Sequence, residues 1–246
     1  MWREFLNSIE IEWKKFLKSI MTEGKEHTKD DGDKLKESLI NHCFIENVIT
    51  SKYGENQQYI TTETFLNMIK EGEFNINDYP VKDIALYDYV TSIDDTETIL
   101  NINLDGSKKF TYTYPERIFH MTEDQSNITV NQFDVICSRL KISKGSNRAV
   151  ANIYSAPLDF LMKDIPCLQI LQATIRDDEL ILHCFFRSND CYGAFPSNML
   201  FLNYLGLKIV DNLKEYYPSL KFKGINYNSS SLHVYEGDWE QAEKII

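Results

Sequence analysis

Two consecutive apolar runs in the second half of the chain limit the fold more than any other feature. Residues 168–175 and 180–186 are typical of strands, and only Arg176, Asp177, Asp178 and Glu179 separate them. So short a polar link predicts that the two strands form an antiparallel hairpin.

Helical patterns surround this hairpin. Apolar residues recur at helical spacing through residues 1–20, which predicts an amphipathic helix of about five turns docked on the core. Further helices are predicted over residues 61–70, 131–141 and 198–213.

Strand patterns occur elsewhere at residues 98–104, 110–114 and 231–235, and the charged stretch 23–37 with its two glycines predicts a loop. No repeat, proline-rich linker or low-complexity tract divides the chain. The predicted fold class is therefore α/β (α+β), as a single domain over residues 1–246 with a large mixed β-sheet flanked by helices.

Composition excludes several functions. The 246 residues are 43% hydrophobic, but no apolar run is long enough to span a membrane. A net charge of −11 argues against nucleic acid as a partner, although it allows a local pocket for one phosphate. Five cysteines without a C-x-x-C pair, behind an N-terminus without an apolar signal segment, predict a cytoplasmic protein with no metal site.

Residues suited to chemistry are concentrated between Asn147 and Glu240. Pro166-Cys167 is followed after twenty residues by Arg187-Ser188-x-Asp190, and eight residues later by Asn198. His233 and Tyr235 lie two residues apart on a predicted strand, so their side chains face the same way.

This ordered set resembles the thymidylate synthase family. The segment from Tyr112 to Phe119 and the helix opening at Asn131 extend the resemblance over residues 110–246, the expected catalytic core. Residues 1–100 match only in outline, and the chain ends shortly after Tyr235, as in the short, archaeal-type branch of the family.

The resemblance implies a reaction on a pyrimidine nucleotide monophosphate. The Cys167 thiolate would add to carbon 6, and carbon 5 would then take a one-carbon unit from 5,10-methylene-tetrahydrofolate or a related methylene-pterin. A nearby cation, Arg187 or Arg148, would favour that thiolate. Tyr114 would assist removal of the carbon 5 proton, and Asp190 would hold a water near the base edge.

The resemblance also assigns substrate-binding residues. Arg187 and Ser188 would hold the phosphate, and Arg148 would reach the phosphate of the other subunit in a sheet-to-sheet homodimer. The Asn198 carboxamide offers the donor and acceptor that match uracil, so dUMP is the expected substrate. His233 and Tyr235 would hold the 3′-hydroxyl of the sugar.

The chain departs from the family pattern at several positions. Asn147 precedes Arg148 where the family usually has two arginines, and Lys29-Asp30-Asp31-Gly32 replaces a loop that carries a further arginine. Pro115 follows Tyr114 where glycine is usual. The candidates for the glutamate that organises proton transfer are Glu46, Glu63, Glu71 and Glu73.

Three functions therefore stay open. The first is synthesis of dTMP from dUMP. The second is 5-hydroxymethylation of dCMP or CMP, in which water instead of hydride captures the methylene intermediate. The third is a nucleotide-binding relative without turnover, which the missing arginines would explain.

Overall fold

The structure is a computed structural model that describes residues 5–51, 57–59, 61–70, 112–123 and 128–246. The strands are β1 (Phe5–Asn7), β2 (Lys25–Thr28), β3 (Lys34–Glu46), β4 (Val48–Ser51), β5 (Gln57–Tyr59), β6 (Met121–Glu123), β7 (Ile128–Val130), β8 (Val150–Asn152), β9 (Leu168–Arg176), β10 (Glu179–Phe186), β11 (Asn189–Asp190) and β12 (Lys221–Tyr235). The helices are α1 (Ser8–Glu23), α2 (Thr62–Lys70), α3 (Tyr114–Phe119), α4 (Gln132–Ile142), α5 (Ala156–Asp159), α6 (Phe195–Leu213) and α7 (Trp239–Ile245), with a 3₁₀ turn at Glu236–Asp238.

Within the described residues, seven strands form one mixed sheet in the order β2-β3-β12-β10-β9-β8, with β11 paired to β12. Strand β12 runs parallel to β10 and antiparallel to β3. The predicted hairpin is confirmed as β9 and β10. Its turn residues Asp177 and Asp178 have φ angles of 49° and 59°, as the left-handed two-residue turns that match strand twist require.

Helix α6 forms the centre of the core. Most of its side chains are buried, since it contacts α1 on one side and β10 and β12 on the other. At its start, the Phe195 ring packs edge-on against Tyr227 of β12 at 5.1 Å. Trp13 of α1 donates its indole N–H to the Cys191 carbonyl at 2.6 Å. The predicted N-terminal helix is thus docked on the core as expected, although it begins at Ser8.

Three predictions of local structure need correction. Residues 23–37 were expected to form a loop, but they contain β2 and the start of β3 around a turn at Gly32, whose φ is +94°. Strand β2 is exposed throughout, so it lacks the apolar alternation that marks a half-buried strand. Strand β12 extends from Lys221 rather than beginning at Ser231.

The third correction concerns residues 110–114. Tyr114 begins helix α3 instead of lying on a strand, and the Thr113 side chain accepts the Glu116 N–H as an N-cap. Pro115 fits the first turn of a helix because its missing N–H would have no helical partner there. The predicted strand at 98–104 lies outside the described residues.

One face of the sheet is left uncovered by the described helices. A hydrogen-bonded row crosses its four central strands, from Thr174 through His183 and Asn226 to His42, with polar atoms 2.8–2.9 Å apart. Apolar side chains share this face and are exposed: Ile40, Ile170 and Phe185. Together they line an open depression of about 390 Å³. In the part of the chain that the structure describes, no helix has the length and apolar character needed to cross a membrane.

Candidate active site

Cys167 lies in the tight connection that leads into β9, directly beside the end of β10. The Arg187 backbone N–H donates to the Cys167 carbonyl at 2.8 Å, which joins the two segments. The half-buried Cys167 Sγ lies 3.5 Å from the Ser188 hydroxyl oxygen. The thiol is therefore reachable and has a hydroxyl beside it.

The guanidinium of Arg187 binds the loop that precedes the cysteine. It donates to the carbonyls of Ile165 at 2.8 Å and Pro166 at 3.1 Å, and to Ser188 Oγ at 3.1 Å. Because Ser188 accepts from Arg187, its own O–H is free to point at the sulfur of Cys167. Arg187 therefore holds the loop that carries Cys167, and the sulfur has a hydroxyl donor within reach.

The other four cysteines lie in different surroundings. Burial raises the pKa of both Cys43 and Cys137 to about 12. Cys184 and Cys191 are fully enclosed, and burial raises their pKa values well above the ordinary range. Cys167 differs from these four, since its half-buried sulfur lies beside the Ser188 hydroxyl in a loop that Arg187 holds.

Tyr114 reaches the same loop from helix α3. Its hydroxyl oxygen accepts the backbone N–H of Leu168 at 3.3 Å, one residue beyond the cysteine. The Tyr114 ring packs edge-on against Phe186 at 6.3 Å. The structure therefore places the Tyr114 hydroxyl beside the residue that follows Cys167, and Tyr114 reaches it from a helix.

Tyr112 is a neighbour that the sequence interpretation assigned no role. Its hydroxyl donates to the Ile165 carbonyl at 3.4 Å. Burial raises the pKa of Tyr112 to about 12, although the backbone N–H of Cys167 opposes that rise. Tyr112 begins the segment that extends the family resemblance, but the strand predicted over residues 110–114 gave no indication that it contacts the cysteine loop.

A buried ion pair packs against the ring of Tyr112. Arg117 Nη2 lies 2.5 Å from Asp159 Oδ1, and the guanidinium also sits 5.8 Å from the centroid of the Tyr112 ring. Asp159 is fully buried and accepts the Ser155 backbone N–H at 2.8 Å. This pair joins α3 to α5, and sequence spacing contained no sign of it.

Asp190 lies two residues after Ser188, and its side chain stabilises a turn. Its Oδ1 accepts the backbone N–H groups of Tyr192 and Gly193, each at 3.0 Å. Burial raises the pKa of Asp190 to about 6, against the effect of those two bonds, and the charge of Asp238 adds to the rise. The carboxyl therefore fixes the start of the segment that leads to α6.

Asn198 lies on the first turns of α6 and is nearly buried. Its amide donates to Asn189 Oδ1 at 3.1 Å, and Asn189 in turn donates to the Tyr227 hydroxyl at 3.2 Å. Among the described residues, the second N–H and the carbonyl oxygen of Asn198 have no partner. One donor and one acceptor thus remain on this side chain for a ligand.

His233 and Tyr235 end β12, and β11 pairs Asp190 opposite His233. Their rings pack edge-on at 4.9 Å. Lys29, from the turn between β2 and β3, lies 5.0 Å above the Tyr235 ring and donates to its hydroxyl at 3.2 Å. The loop noted for its missing arginine thus places a lysine at this end of the sheet.

Arg148 stands apart from these residues. It is exposed just before β8, and its side chain makes no hydrogen bond or ion pair with any described residue. Its neighbour Asn147 accepts from Arg176 at 2.7 Å and contributes no charge. The site of one chain therefore contains Arg187 but not Arg148.

The proton-transfer glutamate stays unassigned. Glu46 pairs with Gly224, nine residues along β12 from His233 and thus about 30 Å from it. Glu63 is exposed on α2, while Glu71 and Glu73 lie outside the described residues. Residues 5–51, 57–59, 61–70, 112–123 and 128–246 contain no group of three or more acidic, histidine or cysteine side chains that could hold a metal ion.

The fold and this constellation define a class of α/β protein with a half-buried cysteine beside an arginine at a strand end. The sequence model of the thymidylate synthase family matches residues 12–246. The chain belongs to the thymidylate synthase family, which confirms the resemblance seen in the sequence.

Curated relatives come from methanogenic archaea. A protein of Methanosarcina acetivorans named "Putative thymidylate synthase" is 32% identical over 145 residues, covering 59% of this chain and 62% of its own length. A Methanocaldococcus jannaschii protein of the same name is 31% identical over 173 residues, covering 68% of this chain and 70% of its own. The chain thus spans about three fifths of the first relative's length.

Proposed function

We propose that this protein transfers a one-carbon unit from a methylene-pterin to carbon 5 of dUMP and forms dTMP. The observation that carries the proposal is the Cys167 thiol, which lies beside Ser188 in a loop that Arg187 holds in place. Family membership supports the same class of enzyme, a methyltransferase of nucleotide biosynthesis.

Cys167 acts as the nucleophile. Its thiolate adds to carbon 6 of the pyrimidine, so a carbon–sulfur bond forms and the electrons of the 5,6 double bond move toward carbon 5 and O4. Carbon 5 can then bond to the one-carbon unit. The one-carbon unit would leave the pterin nitrogen as carbon 5 loses its proton, and a hydride from the pterin would complete the methyl group as the Cys167 thiolate leaves and the 5,6 double bond is restored. Tyr114, whose hydroxyl accepts the backbone N–H of the residue after Cys167, is the proposed aid to proton removal.

The donor is proposed to be 5,10-methylene-tetrahydrofolate or a related methylene-pterin, which when bound supplies the carbon and the hydride. Cys167 is half-buried and Tyr112 binds the same loop, so the donor is proposed to lie beside these two residues. The chain's own residues bind the nucleotide and orient it against the sulfur.

Arg187 and Ser188 are proposed to bind the phosphate. A guanidinium carries five N–H donors, and the described contacts use three. Two donors therefore remain for phosphate oxygens. Arg187 can bind the phosphate with these two while its other donors keep their bonds to the cysteine loop and Ser188. One arginine and one hydroxyl form a smaller cradle than the family pattern provides, so Arg148 from a second subunit would complete it.

The proposed homodimer uses the uncovered face of the sheet. Exposed Ile40, Ile170 and Phe185 lie there on three different strands. Ile40 has a φ of 63°, which is strained for a β-branched residue, and is 92% exposed. A second copy packed on this face would bury these side chains and the polar row between them.

Asn198 favours uracil over cytosine. Its free N–H and carbonyl oxygen match O4 and N3–H of uracil, whereas the exocyclic amine of cytosine replaces an acceptor with a donor. The dCMP or CMP hydroxymethylase is therefore the second candidate. A binding relative without turnover is the third, since a single phosphate arginine lies in the site.

Release of tritium from carbon 5 of labelled dUMP and dCMP, with methylene-tetrahydrofolate, tests the proposal. Release from dUMP alone, absent in Cys167→Ser, is expected, and product analysis would then show a methyl group. Release from dCMP alone would favour the hydroxymethylase. Tight nucleotide binding without release, with either pterin, would favour the binding relative.

The remaining expectations are proposed on related grounds. The family match over residues 12–246 supports one domain with its core in residues 110–246. All five cysteines are free, in keeping with a reducing, cytoplasmic location. The acidic net charge of −11 argues for a small nucleotide instead of nucleic acid.

A further inference from the structure

The side chain of His233 is held in a single hydrogen-bonding state. It is only 5% exposed, and burial lowers its pKa to about 4, helped by the charges of Lys29, His27 and Arg187. The neutral ring therefore carries one N–H at neutral pH. Its Nδ1 lies 3.5 Å from Ser231 Oγ.

Ser231 decides which ring nitrogen carries that proton. The Ser231 hydroxyl donates its hydrogen to a carboxylate oxygen of Glu37, on the neighbouring strand β3. Its oxygen can then only accept from His233, so the ring proton belongs on Nδ1. The opposite nitrogen, Nε2, is left as an acceptor, and it is buried without a partner among the described residues.

Lys29 has the same effect on Tyr235. An ammonium group only donates, so the Tyr235 oxygen accepts from Lys29 Nζ at 3.2 Å. The Tyr235 hydrogen is therefore directed elsewhere. His233 and Tyr235, with rings 4.9 Å apart, thus present one acceptor and one donor side by side.

Lys29 is poorly suited to act as a phosphate cation. Its Nζ lies 2.9 Å from Asp31 and 3.9 Å from Asp33. With Asp30, the turn of residues 29–33 carries one positive and three negative charges. A phosphate at this turn would meet net negative charge. A neutral hydroxyl meets no such repulsion.

We propose that Lys29 and Ser231 are positioning residues that fix Tyr235 as a donor and His233 as an acceptor for a single sugar hydroxyl of the nucleotide. This inference rests on the proposed function, because the hydroxyl belongs to the proposed substrate. A hydroxyl is the group that accepts from Tyr235 and donates to His233 Nε2 at one atom. The site therefore distinguishes nucleotides that carry this sugar hydroxyl from nucleotides that lack it.

Calorimetric titration with dUMP and with 2′,3′-dideoxyuridine monophosphate tests the proposal. Wild-type protein is expected to bind dUMP about tenfold more tightly than the dideoxy nucleotide, as one or two hydrogen bonds allow. In Lys29→Met and in Ser231→Ala this ratio falls to about three or less, because dUMP affinity drops and dideoxy affinity does not. Lys29→Arg keeps a donor and restores part of the ratio.

Lys34→Met is the matched control, since Lys34 lies on the same hairpin and pairs only with exposed Glu236 at 3.6 Å. A general structural defect would weaken both nucleotides equally and would overturn the positioning role. An unchanged ratio in Lys29→Met and Ser231→Ala would also overturn it, with the proposed function intact. Failure of wild-type protein to bind dUMP at all would instead overturn both proposals.

Discussion

The backbone N–H of Arg187 and the carbonyl oxygen of Cys167 are joined by a 2.8 Å hydrogen bond just beyond the paired strands β9 and β10. The register of the hairpin brings Phe186 opposite Leu168, so the residue after one strand meets the residue before the other. Strand pairing therefore places Cys167, the proposed nucleophile, beside Arg187. The two tyrosines of residues 112–114 then hold the loop from the other side.

Alkylation by iodoacetamide at pH 7.5 should modify Cys167 first. Its half-buried sulfur has the Ser188 hydroxyl beside it, whereas burial raises the pKa of Cys43 and Cys137 to about 12 and so disfavours their reactive thiolates. Peptide mass spectrometry after partial labelling measures the order, and excess dUMP should slow the labelling of Cys167. Faster labelling of Cys43 than of Cys167 would contradict the assignment of the nucleophile.

Replacement of Arg187 by lysine should lower kcat/KM by about 100-fold or more. A lysine cannot contact both carbonyls of residues 165 and 166 and the Ser188 hydroxyl together, and each charged hydrogen bond contributes about 1.5–3 kcal/mol. The control is Arg176→Lys at the exposed hairpin turn. Steady-state rates within threefold of wild type in Arg187→Lys would show that the planar arrangement of the guanidinium donors is unimportant.

Asp159→Ala should destabilise the fold by about 3–5 kcal/mol, because it leaves the buried Arg117 guanidinium without its carboxylate. Urea unfolding followed by circular dichroism measures the change. Glu240→Ala removes an exposed partner of Lys244 and should leave the unfolding free energy nearly unchanged, because solvent screens this surface pair. Equal effects of the two substitutions would rule out a special role for burial.

Protonation of His233 should make the fold less stable in acid. Its folded pKa of about 4 lies below the ordinary 6.5, so between these values the unfolded chain binds a proton that the folded chain does not. Its contribution is therefore complete above pH 6.5 and lost as the pH falls toward 4, by an amount on the order of 3 kcal/mol.

Comparison of wild type with His233→Gln isolates this contribution. Asp190 has the opposite sign, since a pKa raised to about 6 favours the folded state as pH falls from 6 toward 4, but it is common to both proteins. The difference in unfolding free energy between the two should shrink from pH 7 to pH 4. A constant difference over that range would argue against a neutral, buried His233.

Gly206→Ala should weaken packing between α6 and the sheet. A Cβ at this position would overlap the ring of Phe222 on β12, and overpacking of this kind costs about 1–3 kcal/mol. At Gly237 an added Cβ meets no atom within 4 Å, so Gly237→Ala serves as the control. Thermal melting distinguishes them, and equal melting temperatures would show that the Phe222 ring moves aside freely.

The sequence alone determined the helices and strands that have one apolar, buried face and one polar, exposed face. The hairpin of β9 and β10, helix α6 and the docked helix α1 each carry an apolar period, and each was predicted near its observed position. The family was also readable, because Cys167, Arg187 and Asn198 keep their order and spacing. Exposed strand β2 and the polar part of β12 have no such period.

Only the tertiary structure decided which polar atoms face one another. Lys29 reaches Tyr235 across 206 residues, and Arg117 reaches Asp159 through the packing of two short helices. Neither relation has a sequence period, since hydrogen bonds and ion pairs act between atoms a few ångströms apart, and chain distance does not set that separation. Hydrophobic patterning determined where the strands of the sheet lie. Strand pairing then determined which polar side chains meet at the end of the sheet.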